Sequence, residues 1–136
     1  MSKVNPYQID SKEKYIVIND MFEVISGLKT KKEIVDFFLG LFTPSESLMI
    51  ARRIQIAKML LDEENYESIR NKLGVGNNNI QQVDRWINRE GSDYEKMIKN
   101  KIGKLKKKEG DKKYYNPEKS LLDKYPYHRF IKNLFN

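Results

Sequence analysis

The sequence has no cysteine and a single histidine, His128. The first absence excludes disulfides, thiolate metal sites and cysteine nucleophiles, and permits a reducing compartment. The second leaves no partner with which a histidine metal site could be built, so no metal is expected. No run approaches about 18 apolar residues, so no membrane span is expected. The start, Met1-Ser2-Lys3-Val4-Asn5-Pro6, has no long apolar stretch behind it and does not read as a signal peptide. A cytoplasmic protein is the expectation. There is no glycine-rich phosphate loop following a strand and no supported Ser/His/Asp arrangement, so neither an enzyme nor a bound cofactor is expected. The carboxylates at Asp62, Glu63 and Glu64 read as a solvated helix end.

What is present suits one all-α domain: 136 residues, 39% of them hydrophobic. The charge is unevenly placed. Residues 1–91 hold thirteen Lys/Arg and thirteen Asp/Glu, whereas residues 92–136 hold thirteen and six, so the whole net charge of +7 falls in the last third. Such a distribution fits contact with a polyanion, or equally a solvated tail.

Apolar spacings of three and four residues predict a helix over about 14–27, through Met21, Phe22 and Ile25, with Gly27 near its end. Thr30 and Glu33 have the spacing of a capping box for the next helix, which carries Ile34, Phe37, Phe38 and Leu41. Thr43-Pro44-Ser45-Glu46 repeats that signal with proline at the first helical position. The helix it opens is apolar around much of its girth, from Leu48 to Leu61, and is expected at the domain centre. These three helices carry more apolar surface than a small monomer readily covers. An intertwined homodimer is expected ahead of a compact monomer.

Residues 64–89 have the pattern of a helix-turn-helix. Ile69 and Leu73 lie four apart on a first helix over about 66–73, Gly74 suits a left-handed position, and Val75 plugs the elbow. Ile80, Val83 and Ile87 form the apolar face of a second helix. Its outward residues, Asn77, Asn78, Asn79, Gln81, Gln82 and Arg85, are nearly all amides, with one asparagine available as the cap. An amide both donates and accepts, which matches the N6/N7 edge of adenine in the major groove. A surface helix with no such task carries more Lys and Glu. Arg70, Lys72 and Arg89 are expected on the DNA backbone, and Arg85 lies near it.

Leu41-Phe42-Thr43-Pro44, the run Ala51-Arg52-Arg53-Ile54-Gln55-Ile56-Ala57-Lys58-Met59-Leu60-Leu61, and Tyr66 through Asn88 resemble the Trp repressor superfamily, in its YerC/YecD-type branch. The resemblance runs from about residue 15 to 103. It implies an all-helical, intertwined dimer that regulates transcription by binding double-stranded DNA, with repression the expected outcome. It also implies a tryptophan site between the central and recognition helices, held by one arginine from each. The central-helix arginine matches Arg53; the other falls on Gln82, the adjacent glycine on Val83, and a serine on Trp86. The second guanidinium, a bidentate partner for a carboxylate, is missing. Val83 and Trp86 are expected to fill the space, leaving a vestigial pocket, with Trp86 as a packing anchor.

The chain thus divides into an N-terminal segment over 1–14, the DNA-binding domain over 15–103 and a basic, aromatic extension over 104–136. Ser92 and Glu95 have capping-box spacing for a helix through Ile102. After it, Lys106, Lys107 and Lys108 sit in what reads as a flexible linker able to neutralise phosphates. Tyr114, Tyr115, Tyr125, Tyr127 and Phe130 are too many large side chains for a linker alone, and suggest a second protein or nucleic-acid contact. An RNA-binding or protein-interaction adaptor that uses this tail is the rival reading. Isothermal titration with L-tryptophan is expected to show no micromolar binding; such binding would contradict the loss of the corepressor site.

Overall fold

The computed structural model describes residues 3–110, without the side chains of Ser92 and residues 106–110. It is all-α over these residues, with helices α1 (Ser11–Ser26), α2 (Lys31–Leu41), α3 (Pro44–Leu61), α4 (Tyr66–Leu73), α5 (Asn77–Ile87) and α6 (Ser92–Gly110). Among the described residues no helix is long and apolar enough to cross a membrane. The chain divides into two units, the first ending at Leu41 and the second beginning at Phe42.

The first unit holds α1 and α2. Asp10 caps α1, its carboxylate accepting from the Lys12 and Glu13 N–H groups at 3.1 and 3.4 Å. This cap starts the helix at Ser11, earlier than apolar spacing alone places it. Gly27 closes α1 in a right-handed conformation, so its glycine freedom is not used there. The box at α2 forms as expected: Thr30 Oγ1 accepts from Glu33 N at 3.1 Å, and Glu33 Oε2 accepts from Lys29 N at 2.7 Å and Thr30 N at 3.3 Å. Those two N–H donors hold the Glu33 carboxyl below its ordinary value. Neither helix has a buried residue, and Ile16, Ile18, Phe22 and Ile34 are all exposed.

The second unit holds the core. Ile56 and Ala57 of α3, Ile69 of α4, Ile80, Val83 and Ile87 of α5, and Ile102 of α6 form one buried cluster. Each fully buried branched side chain contributes about 2 kcal/mol by removal from water. α3 packs on α5 and α6, and α5 also meets α4. The two ends of α3 differ. Its C-terminal half supplies the core residues, whereas Leu48, Met49 and Ile50 remain exposed, so only half of this helix is central to the unit.

Caps define the ends. Thr43 and Glu46 form the reciprocal box, at 3.2 and 2.8 Å, with Pro44 opening α3. At the other end, Glu64 N donates to Met59 O and Glu63 N to Leu60 O, with Glu63 at φ 60°. This is a Schellman ending with glutamate where glycine is usual. α6 departs from expectation twice. Ser92 lies inside the helix, whose first bond runs from Glu95 N to Gly91 O at 3.0 Å, while the Glu95 carboxylate pairs with Lys99. The helix also continues to Gly110, so residues 103–110 are helical and not linker. The aromatic tail beyond lies outside the described residues.

Gly74 at φ 65° and Glu63 at φ 60° occupy the same left-handed region with opposite residue types. Gly74→Ala is therefore expected to lower stability by about 1 kcal/mol, with open space around the added methyl, and Glu63→Gly to raise it by up to as much. Urea unfolding measures both; a neutral Gly74→Ala would contradict the backbone argument.

Candidate nucleic-acid interface

The candidate interface is built on α4, the elbow and α5. Asn65 caps α4 through Ser68 N at 2.8 Å, and Gly74 closes it in the left-handed conformation with its N–H on Arg70 O at 2.8 Å. From α3, Arg52 Nη1 donates to Leu73 O at 2.7 Å and satisfies a carbonyl at the end of α4. Val75 packs half-buried against the core at the elbow, as expected. Gly76, not an asparagine, is the N-cap of α5, with no side-chain cap bond. Asn77, Asn78 and Asn79 are therefore the first three helical residues, and their amides are not spent on capping.

The buried stripe of Ile80, Val83 and Ile87 orients the rest of α5. With 3.6 residues per turn, Asn78 and Arg85 stand opposite that stripe, and Gln81 and Gln82 take the two shoulders. All four are exposed. Asn77 and Asn79 are exposed too but lie toward the edges. Asn79 borders a depression shared with Arg52, Arg53 and Val75. On the opposite flank, Tyr66 donates its hydroxyl to Asp84 Oδ2 at 2.5 Å, and Asp84 Oδ1 accepts from Asn88 Nδ2 at 2.6 Å.

The residues matched to a ligand pocket do come together. Arg53, Gln82, Val83 and Trp86, with Ile50 and Ile54, line a cavity of about 350 Å³ between α3 and α5. Val83 is buried in the core and Trp86 packs half-buried beside it, as an anchor would. They leave this volume open, so the expected filling is incomplete. The basic residues assigned to the DNA backbone are dispersed. Arg70 is exposed on α4. Lys72 pairs with Glu64 Oε2 at 2.9 Å, an exposed bond of small net worth that a phosphate can replace. Arg89 lies over the Tyr94 ring, 5.8 Å from its centroid. The side chains of Lys106, Lys107 and Lys108 lie outside the described residues.

Sequence reasoning missed Arg52, Tyr66, Asp84 and Asn88. Asp84 and Asn88 are four apart, a spacing that signals a same-helix contact. Nothing in the sequence joins Tyr66 to Asp84, because that contact depends on the angle at the elbow.

A profile of the family described as Trp repressor protein matches residues 17–102. Among curated proteins, "Uncharacterized protein YerC" of Bacillus subtilis (strain 168) is 30% identical over 81 residues, covering 60% of this chain and 78% of its own length. The chain belongs to the Trp repressor family. That places it in the class of helix-turn-helix regulators, which are not enzymes.

The hydrogen bond to Asp84 raises the Tyr66 pKa above its ordinary value of 10.0, and burial adds to the effect. A raised pKa favours the protonated, folded form. Its contribution to stability is complete below the unfolded pKa and is lost as pH rises through the folded one. Stability is expected to fall above about pH 10 more steeply in the wild type than in Tyr66→Phe, as measured by denaturant midpoints. Equal slopes would contradict the bond.

Proposed function

We propose that this protein is a sequence-specific regulator of transcription, a repressor, that binds double-stranded DNA as a homodimer and reads base edges with α5. The observation that carries the reading is the outward face of that helix. Asn78, Gln81, Gln82 and Arg85 project opposite a buried stripe, on a helix-turn-helix whose elbow holds Gly74 and Gly76. Amides at these places can hydrogen-bond adenine in both directions, and Arg85 can meet guanine or phosphate. Asn77 and Asn79, nearer the edges, extend the same surface.

Affinity and readout are divided between different residues. Arg70, Lys72 and Arg89 on the described surface, and Lys106, Lys107 and Lys108 beyond it, supply attraction to phosphate that does not depend on sequence. The homodimer is supported by apolar surface that one chain leaves open, including Ile16, Ile18 and Phe22 of α1 and Leu48, Met49 and Ile50 of α3. Exposed apolar residues in this number are costly without a covering partner. Two copies would also present two recognition helices to two half-sites. Among the described residues Arg53 is the one guanidinium lining the α3–α5 cavity, so tryptophan lacks its paired clamp there.

Selection of bound duplexes from a random pool tests the reading. Asn78→Ala and Gln81→Ala are expected to change the selected bases, at about 1–3 kcal/mol of lost discrimination for each contact. Arg89→Ala is expected to weaken all duplexes alike and to lower the salt slope by about 1. Sedimentation is expected to give twice the chain mass. Selection of single-stranded RNA in place of duplex, lost on replacing the tail aromatics, would instead support an adaptor.

A further inference from the structure

The Tyr66–Asp84–Asn88 chain lies on the flank of α5, and base contact alone does not account for it. Both Asp84 oxygens are engaged, Oδ2 by a hydroxyl from the first residue of α4 and Oδ1 by an amide one turn along α5. The Asn88 amide also donates to Asp84 O at 3.1 Å, which ties the end of α5 to the same point. Tyr66, Gln81, Asp84, Arg85 and Asn88 line one open depression. The anchored carboxylate therefore shares its surface with two of the side chains assigned to DNA.

The rest of the α4–α5 junction has little directional content. Ile69 shares a buried apolar cluster with Ile80 and Val83, and apolar burial is not directional. The elbow between the helices is Gly74-Val75-Gly76, and α5 begins at Gly76 without a side-chain cap. A hydroxyl donating to an ionised carboxylate is short, directional and stronger than a neutral pair. It is the polar side-chain bond between α4 and α5 in the described residues. Asp84 is also the single acidic residue of α5, and a free carboxylate there would repel phosphate.

We propose that Tyr66 is a positioning residue for base readout: acting through Asp84, its hydroxyl fixes the roll of α5 on α4 and so the direction in which Gln81 and Arg85 leave the helix. This rests on the DNA-binding reading above. Its role differs from that of the amides, because Tyr66 needs no contact with DNA.

The test compares full-length wild type, Tyr66→Phe, Asp84→Ala and the double variant. The probes are a duplex selected by the wild type from a random pool and an unselected duplex of equal length. Tyr66→Phe is expected to weaken the selected complex about tenfold and the unselected one by less than about twofold. The double variant should be no worse than Asp84→Ala alone, since that variant already removes the Tyr66 bond together with the Asn88 one. The backbone amide resonances of Gln81 and Asn88 should shift in free Tyr66→Phe. If Tyr66→Phe folds poorly, Asp84→Ala is read by the ratio of its two affinities, because loss of its charge alters both duplexes alike. Unchanged preference, or equal loss on both duplexes, would overturn the positioning role and leave the DNA reading standing. A wild type that selects no duplex would overturn both.

Discussion

Burial of Ile80, Val83 and Ile87 against Ile56, Ala57, Ile69 and Ile102 is the constraint on which the helix-turn-helix depends. These α5 side chains recur at intervals of three and four, so burying them sets one face of the helix and exposes the opposite one. A charged residue at any of the three places would have to be paired or expelled, and the outward amides would turn away with it. The core therefore positions the surface. It does so with seven side chains drawn from four helices, and the same burial seats Trp86 and Val75 at the margins.

Polar contacts refine what the core places. Arg52 joins α3 to the last carbonyl of α4, and Tyr66 joins the start of α4 to the middle of α5. Together with left-handed Gly74, they fix the geometry of an elbow only a few residues long. Each of these residues has a local cost or requirement. Gly74 gives up side-chain packing, and Tyr66 and Arg52 each order a large side chain. The adjacent Arg53 instead borders a cavity that also reaches Gln82, so neighbouring arginines on α3 meet the elbow and the middle of α5.

Much of this was legible in the sequence because the signals were local. Thr43-Pro44-Ser45-Glu46 specified its cap within four residues, and the bounds of α4 followed from the Ile69/Leu73 pair and Gly74. The first helix began earlier than its apolar pattern because an aspartate cap preceded that pattern. Ser92-Asp93-Tyr94-Glu95 had the letters of a capping box, yet Gly91 at φ 136° supplied the helix's first acceptor and Glu95 turned to Lys99. Charge and glycine after Ile102 point to a linker, yet lysine is a good helix former and continues the turns already in place as far as Gly110. At the candidate site, the outward residue types were visible from spacing. The open cavity beside Trp86 and the Tyr66–Asp84 bond were not, because both depend on how separate helices cross.

The central claim is that the amide face of α5 meets base edges. The most direct measurement is the change in side-chain amide resonances of the full-length protein when a duplex selected from a random pool is added. The account predicts that the Asn78, Gln81 and Gln82 side-chain signals shift with the selected duplex and much less with an unselected one. Shifts that spare these three side chains while the selected duplex stays bound would contradict it.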